Sequence, residues 1–537
     1  MKRPLLLCLA AGILLAQSAS ISGERIRAHV KFLSNDLLEG RGVGVRGGEL
    51  AAEYIATQFA LDGLQPAGDK GTFFQSVPLV GVTTGANASL TASKDGLETS
   101  FQWMEDFVGA AENQKEDNAF DGEAVFVGHG IGAPEFHWDD YKGVDVRGKI
   151  LVLFTNEPPS DDPKFFAGRA LTYYGRWTYK YQEATRRGAR AVFILHTTPT
   201  AGYGFGVVRN SWGKEDPQLK LTPGEHALAF AGWLTQGASE KLAVMAGTTL
   251  DAMLASANSP GFHPVPLGVN LRGKIPSKIR SIESRNVAAL VPGSDSKLKD
   301  EAVVFSAHWD HLGIGTPVNG DSIYNGAVDN ATGCGVILEI AHAWANMPRK
   351  PRRSALFLSV TAEEAGLLGS EYYGLHPLIP NGKIALDLNY DALYPFGRTR
   401  DVAVTGAERT TVWPVVQAIA KNMRLAIVPE SHPEQGHYYR SDHFSFARFG
   451  VPAFSIGMGG DFAGKPKDFA ETVFADYNTR HYHQPSDEYR DDWDFSGMEQ
   501  MARFGMEIGV AVANREAMPT WNAGDEFLSA REKSGVK

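Results

Sequence analysis

The sequence contains few cysteines, no excess of positive charge and no long apolar run after its first residues. Lysine and arginine number 52 against 62 aspartates and glutamates, which gives a formal net charge of −10. This balance disfavours nucleic acid or an anionic membrane as the main partner. Hydrophobic residues make up 43% and charged residues 21%, which is typical of a folded soluble protein and argues against long disorder. A chain of 537 residues is long enough for two or three domains.

The one strongly apolar stretch lies at the N-terminus. Lys2 and Arg3 precede the apolar run 5–15, and small residues follow at 16–20. The run is short for a bilayer, and its charged start and small-residue end are typical of a secretory signal peptide. We therefore expect residues 1–20 to be cleaved and the mature protein to be exported, to the periplasm or the medium, without stable membrane insertion.

The two cysteines are Cys8, inside the predicted signal peptide, and Cys334. Cleavage leaves one thiol, so a disulfide within the mature chain is excluded and the core must hold the fold alone. Cys334 begins an apolar pattern of helical period, which predicts a buried structural thiol and not a nucleophile.

The predicted secondary structure changes along the chain. A helical pattern over 26–38 and another over 49–61 enclose a Gly-rich stretch, 39–48. No strand precedes this stretch and no Lys-Ser/Thr pair follows it, so we predict a flexible loop and not a phosphate-binding loop. Between 118 and 275, short strand-like runs with a single predicted helix, 179–187, indicate a β-rich module.

From residue 286 onwards the pattern alternates strands with helices. The apolar runs 287–291, 302–307, 355–360 and 453–456 are nearly continuous, and helical patterns follow several of them, such as 333–344 and 411–421. Strands that are buried on both faces and alternate with helices predict an α/β sheet. In such sheets the functional residues gather at the carboxyl ends of the strands.

Polar residues occur where these strands end. His308 and Asp310 directly follow the run 302–307, and His311 comes next. A histidine in this place is a natural metal ligand, and an aspartate two residues later can fix its tautomer. Taken alone, the same residues could be a polar loop with two incidental histidines.

Two carboxylate motifs come next. Asp329 stands before the helical pattern 333–344, where an aspartate is usually a helix cap, but flanking glycines would let it bridge two cations. Glu363 and Glu364 follow the run 355–360. An adjacent pair usually belongs to a solvated helix face, but at the end of a buried strand one carboxylate can bind metal while the other takes a proton from water.

Two weaker motifs complete the set. Asp391 ends a stretch in which polar and apolar residues alternate, so its polar residues share one face of a strand that is either exposed or lines a site. His483 lies in a turn before Pro485 and Asp487. Solvent exposure alone would explain either motif.

Together these residues form an ordered set of histidines and carboxylates. Such ligands suit zinc, with cobalt or manganese possible, and the absence of thiolates excludes a closed structural zinc site. The expected geometry is two metal ions about 3.5–4 Å apart that share one carboxylate and one water.

The five motifs resemble the co-catalytic zinc aminopeptidases, a family that includes relatives of glutamate carboxypeptidase and glutaminyl cyclase. The motifs are His308-Trp-Asp310, 326–333, 361–366, Asn389-Tyr-Asp391 and 482–487, and the resemblance covers most of 25–115 and 284–512. It implies an α/β fold with a mixed central sheet flanked by helices. After the signal peptide, 21–117 and 276–537 would form the catalytic domain, and 118–275 would be an inserted β-rich protease-associated domain.

The resemblance also implies the metal ligands. Asp329 would bridge two zinc ions per chain. His308 and Asp391 would complete one site, and Glu364 and His483 the other. The family commonly has a cis peptide bond after the bridging aspartate.

Three further roles follow from the resemblance. Glu363 would be the general base, Asp310 would support His308, and Tyr482 would stabilise the oxyanion. The implied activity is that of an exopeptidase on peptide substrates, first of all an aminopeptidase.

Other activities remain open at this point. A carboxypeptidase would need a cationic residue to hold the substrate carboxylate, for which Arg440 is a candidate. A non-catalytic binding relative would have lost ligands, whereas all are present here, and cyclases of N-terminal glutamine are usually smaller and lack the insertion. The motifs fix neither the oligomeric state nor the side-chain preference.

Overall fold

One strand of 27 residues, Val265–Val291, runs through two connected β-sheets. The computed structural model describes residues 21–430 and 432–536, so the predicted signal peptide lies outside the described residues. The C-terminal part of the strand pairs antiparallel with Ser354–Val360 and Phe74–Thr84. Its N-terminal part pairs antiparallel with Asp117–Phe126 and Ser89–Lys94. The strand thereby joins an α/β unit to a β-rich unit.

The α/β unit contains four parallel strands, in the order Ala453–Ser455, Ile384–Asn389, Ala302–His308 and Ser354–Val360. The three longer strands are buried at every position, which explains their continuous apolar sequence. Antiparallel strands complete the mixed sheet: Gln65–Pro66, Phe74–Thr84, Asp216–Leu219 and the end of Val265–Val291.

Helices cover both faces of this sheet. Within Ala302–His308, Val303 and Phe305 belong to one apolar core and Ala302 and Val304 to another, as the two-residue period of a strand requires. The first core includes residues from the helices Gly23–Leu33, Arg46–Leu61, Thr332–Ala345, Trp413–Met423 and Ser496–Ala513. The second includes residues from Leu368–Leu375 and His443–Arg448. The predicted α/β fold with a mixed, helix-flanked sheet is therefore confirmed.

The β-rich unit has its own cores. Its strands are Ser89–Lys94, Leu97–Gln102, Phe107–Ala110, Asp117–Phe126, Ile150–Leu153, Ala191–Leu195, Phe230–Leu234 and the start of Val265–Val291. The first three precede residue 118, so this sheet also takes in chain from before the predicted insertion. The assignment of 118–275 as a protease-associated domain stays a prediction.

The prediction of a single helix between 118 and 275 was wrong. The helices there are Trp177–Arg186, Thr198–Ala201, Phe205–Trp212, Gln236–Ala246 and Leu250–Ala257. Thr197, Thr235 and Thr249 each cap one of them by accepting a hydrogen bond from the backbone N–H three residues on. The missed helices are short or carry weak apolar periodicity, and a capping threonine marks three of the four in the sequence.

Shorter elements complete the described chain. The remaining α-helices are Phe469–Arg480 and Leu528–Lys533, and the remaining strands are Gly132–Ala133, Trp138–Asp139, Gly313–Val318, Asp321–Tyr324, Asp401–Ala403, Ala426–Val428 and Gly457–Met458. Within 21–430 and 432–536, no helix combines the length and apolarity needed to cross a bilayer. Cys334 is buried and free, as predicted.

Candidate metal centre

The predicted site residues meet at the carboxyl ends of the parallel strands. His308 is the last residue of its strand, Glu363 and Glu364 lie just beyond Ser354–Val360, and Asp391 lies just beyond Ile384–Asn389. Because parallel strands end at the same edge of a sheet, three separate sequence motifs reach one place. Asp329 precedes the helix Thr332–Ala345, and His483 follows Phe469–Arg480.

Asp329 lies between the two histidines. Nε2 of His308 is 3.3 Å from Oδ1 of Asp329 and 3.3 Å from Oδ1 of Asp391. Nε2 of His483 is 3.3 Å from Oδ2 of Asp329 and 3.1 Å from Oε2 of Glu364. The five residues thus form two groups that share one carboxylate, and each oxygen of Asp329 faces a different histidine.

These distances fit metal ligands. Two atoms bonded to one zinc at about 2.0–2.2 Å in tetrahedral geometry lie roughly 3.4 Å apart. Each histidine–carboxylate distance given above is within about 0.3 Å of this spacing. His308, Asp329 and Asp391 form one group whose ligating atoms lie within 4.8 Å of one another.

The burial and charge of the carboxylates also indicate a metal site. Asp329, Glu363, Glu364 and Asp391 are mostly buried, with side chains at most 20% exposed. Within the described parts of the chain, the salt bridges of these four carboxylates are to histidines, and none is to lysine or arginine. Buried anions at such spacing repel one another, and divalent cations would relieve that repulsion.

The pKa values reflect this crowding. Burial raises the pKa of Glu363 well above its usual value, and the charges of Asp391 and Glu364 add to the rise. Burial would also raise the pKa of Asp329, but hydrogen bonds from His308 and His483 hold it well below the usual value. Burial would lower the pKa of His483, yet Glu364 and Asp329 raise it to about 10. A bound metal would have to displace that proton, so binding is coupled to proton release.

Asp310 is buried beside His308 and the two glutamates. We expected its carboxylate to support His308, but the contacts differ. Nδ1 of His308 lies 3.2 Å from the main-chain oxygen of Asp310 and 3.9 Å from Oδ1. The carboxylate instead accepts hydrogen bonds from the backbone N–H groups of Glu363, at 3.1 Å, and Glu364, at 3.4 Å. Its carbonyl therefore faces the imidazole, while its carboxylate fixes the turn that carries both glutamates.

Asp487 holds the backbone of Asp329 in a similar way. Its carboxylate accepts hydrogen bonds from the N–H groups of Val328 and Asp329, and from the hydroxyl of Tyr477. The peptide bond between Asp329 and Asn330 is cis, as the resemblance implied.

Tyr482 lies at the outer side of the centre. Its ring stacks on that of His483, with centroids 3.9 Å apart, and the residue is 46% exposed. The structure thus places Tyr482 beside a proposed ligand and open to solvent, where a substrate would arrive.

Two residues of the centre received no role from the sequence. His311 is buried with Nδ1 2.5 Å from Oε1 of Glu364, and its only sequence signal was the closeness of a second histidine to His308. Ser441 donates a hydrogen bond of 2.6 Å to Oδ2 of Asp391 and accepts one from Asn389. Nothing in the sequence around Ser441 marked this contact.

The Gly-rich stretch 39–48 is packed against the centre, so the prediction of a flexible loop was wrong. The guanidinium of Arg41 is buried and donates to the carbonyl oxygens of Leu33, Trp309, Asn325 and Gly326. Trp309 follows the ligand His308, and Gly326 precedes Asp329 by three residues. Arg41 thereby ties two ligand-bearing segments to the N-terminal helices.

Comparison with known proteins finds a family that is similar to this region. The model of peptidase family M28 matches residues 286–506. Aminopeptidase NAALADL1 from Rattus norvegicus is 32% identical over 118 residues, which are 21% of this chain and 14% of that protein. Leupeptin-inactivating enzyme 1 from Streptomyces exfoliatus is 26% identical over 183 residues, or 33% of this chain and 36% of that protein. The matches thus span well under half the length of these relatives.

The fold is also found in a solved structure. The aminopeptidase from Aneurinibacillus sp. strain AM-1 is similar over 94% of this chain and 96% of its own, with a TM-score of 0.51 and 18% identity. This likeness shows a shared fold over nearly the whole chain, including the β-rich unit. The match to the model of peptidase family M28 over residues 286–506 takes in all five motifs, so this part of the chain is similar to that family.

Proposed function

We propose that this protein is an exported aminopeptidase that removes N-terminal residues from peptides with the help of two zinc ions. The position of Asp329 between two histidine–carboxylate groups carries the proposal, because it is the arrangement that two neighbouring metal ions require. The match to family M28 and the name of one relative, aminopeptidase NAALADL1, favour hydrolysis of peptides from the N-terminus.

The ligands follow from the distances. His308 and Asp391 would hold one zinc, Glu364 and His483 the other, and Asp329 both. Zinc bound in such a site lowers the pKa of a water and polarises the scissile carbonyl.

Glu363 supplies the base. Its carboxylate lies 3.9 Å from Nε2 of His308, close to the proposed ligands. Burial and two neighbouring carboxylates raise its affinity for a proton. Glu363 would take a proton from the attacking water and pass it to the leaving amine as the C–N bond breaks. The hydrogen bonds from the backbone to Asp310 keep this carboxylate in place.

Tyr482 would stabilise the oxyanion. A phenol donates a hydrogen bond to a developing negative charge, and donors of this kind contribute roughly 3–4 kcal/mol in other hydrolases. The stacking on His483 orients the ring, and the residue is partly open to solvent.

A matched substrate panel tests the proposal. Aminoacyl-nitroanilides and tripeptides with a free N-terminus are compared with their N-acetylated and C-terminally amidated forms, before and after treatment with a chelator. We expect cleavage of free and C-amidated substrates, no cleavage after N-acetylation, loss of activity on chelation and recovery with zinc. Metal analysis is expected to give two zinc ions per chain.

Other outcomes separate the alternatives. Cleavage of N-acetylated substrates that C-terminal amidation blocks would favour a carboxypeptidase with Arg440 near the substrate carboxylate. Cyclisation of N-terminal glutamine without hydrolysis would identify a cyclase. Absence of both metal and hydrolysis would favour a non-catalytic binding relative.

Export is the last part of the proposal. It rests on the charged, apolar and small-residue segments of 1–20. When the full chain is produced in a Gram-negative host, the protein in the periplasm is expected to have a mass that corresponds to cleavage near residue 20. A cytosolic protein that keeps residues 1–20 would contradict export without affecting the catalytic proposal.

A further inference from the structure

We infer that His311 is a positioning residue that fixes the Glu364 carboxylate for its metal ion, an inference that rests on the proposed function. Nδ1 of His311 is 2.5 Å from Oε1 of Glu364, while Nε2 of His483 is 3.1 Å from Oε2. The two oxygens are thus divided between two histidines. Oε1 is held by His311, and Oε2 faces His483.

The short distance distinguishes His311 from a ligand. His311, Asp329 and Glu364 form a group whose ligating atoms lie within 4.8 Å of one another, so coordination by His311 has to be considered. Two ligands of one tetrahedral zinc lie roughly 3.4 Å apart. The 2.5 Å between His311 and Glu364 is far shorter and matches a charge-assisted hydrogen bond, whereas His483 has the spacing of a ligand.

The backbone around His311 fixes its ring. The backbone N–H of His311 donates a hydrogen bond to the carbonyl oxygen of Arg41. The buried side chain of Arg41 donates to the carbonyl oxygen of Trp309 and so fixes the position of this residue. On the other side, a Cβ atom at Gly326 would lie 2.5 Å from Cγ of His311 and 2.2 Å from the carbonyl oxygen of Asp329. Gly326 also has φ +55°, in the left-handed region. A glycine at this position therefore gives the imidazole its space beside the proposed bridging ligand.

The other ring nitrogen has no competing contact. Nε2 of His311 is buried, and no hydrogen-bond partner for it occurs in the described residues. A polar atom buried in this way costs stability, and a structural histidine would normally satisfy both nitrogens. The ring instead directs its one polar contact to Glu364, which is the contact that matters if the carboxylate must keep one orientation.

The expected consequence is on metal affinity. Groups that orient a ligand without touching the metal typically change affinity by about 10–100-fold when removed. Without His311, Glu364 could rotate or bind through both oxygens, and the ion shared with His483 would be held less tightly. The ion bound by His308 and Asp391 should be affected less.

Two substitutions and one control test this. His311→Leu removes the donor at similar size, and His311→Asn keeps an N–H near the position of Nδ1. His342→Leu is the control, because it removes another histidine–carboxylate contact, Nδ1 to Oδ1 of Asp62 at 2.6 Å, near the far end of Thr332–Ala345. Zinc affinities are measured by competition with a chromophoric chelator, and coordination by the visible spectrum of the cobalt-loaded proteins.

We expect His311→Leu to lower the affinity for one of the two zinc ions by about 10–100-fold. The zinc affinities of His311→Asn and His342→Leu should stay within a few-fold of that of the parent protein. Unchanged affinities in His311→Leu would overturn the inference. Equal losses in His311→Asn and His311→Leu, with fewer cobalt ligands, would make His311 a ligand and overturn it too. If His311→Leu fails to fold, His311→Asn is compared with His311→Gln, whose amide lies one bond further from the backbone. Equal zinc affinities of these two variants would refute the inference. A parent protein that binds no metal would count against the proposed function itself.

Discussion

Replacement of Glu363 by glutamine is expected to lower kcat by about 10²–10⁴-fold while both metal ions stay bound. Glutamine has the size of glutamate but cannot accept the proton of the attacking water. The backbone N–H of residue 363 would still donate to Asp310, so the turn should keep its shape. KM should change little, because the side chain acts on water and leaving group and not on substrate binding.

The neighbouring residue is the matched control. Glu364→Gln changes the same charge one position along the chain, but Glu364 faces His483 as a proposed ligand. This variant is therefore expected to lose metal and activity together, whereas Glu363→Gln loses activity alone. Metal content and steady-state rates on the same samples make the comparison. If Glu363→Gln keeps a kcat within a few-fold of the parent, the base is another group. If it loses its metal, Glu363 is a ligand, which also contradicts the proposed role.

Fold class could be predicted because burial on both faces of a parallel sheet leaves a direct trace in sequence. The runs at 302–307 and 355–360 correspond to the strands Ala302–His308 and Ser354–Val360. In the β-rich unit the strands were equally visible but the helices were not. A helix such as Gln236–Ala246 is rich in small residues, so periodicity alone could not reveal it, and only its capping residue Thr235 marks where it begins.

The proposed ligands were marked as candidates by motifs next to the ends of strands or helices, but their assignment as a set came from the resemblance that the five motifs carry together. His311, Ser441 and Arg41 are different. Each acts through a residue far away in sequence, and Ser441 contacts Asp391 from 50 positions along the chain. A single sequence carries no information on such pairings, since any polar residue in a loop could form them.

A segment that follows Ile150–Leu153 in the β-rich unit contacts the loop that carries Ser441. The N–H of Leu171 donates to the carbonyl of Pro433, and the ring of Tyr173 packs against Phe444 with centroids 4.9 Å apart. The segment between Pro433 and Phe444 contains Ser441, the residue that binds Asp391. The β-rich unit thus supports a loop that in turn orients a proposed ligand, which gives it a place in the architecture of the centre.

Replacement of Arg41 by methionine is expected to lower the free energy of unfolding substantially. Its guanidinium satisfies four carbonyl oxygens with hydrogen bonds of 2.6–2.8 Å, and the side chain is among the largest fully buried ones. In Arg41→Met the chain keeps its apolar bulk, but these carbonyl oxygens lose their donor in a place that water reaches poorly. Each unsatisfied buried group costs about 1–3 kcal/mol, and partial relaxation leaves an expected total of about 3–5 kcal/mol.

Arg46→Met is the control for Arg41→Met, because it lies in the same Gly-rich stretch but is 71% exposed and pairs with Glu39 at the surface. Surface pairs of this kind contribute at most about 1 kcal/mol. Thermal unfolding of metal-free protein is expected to show a midpoint lower by roughly 3–7 °C for Arg41→Met and nearly unchanged for Arg46→Met, because the entropy of unfolding grows with chain length. Zinc should restore less stability to Arg41→Met than to the parent, because the segments of Trp309 and Gly326 also carry His308 and Asp329. Equal midpoints for Arg41→Met and the parent would show that the four carbonyl oxygens find other donors, and that this arginine does not hold the centre together.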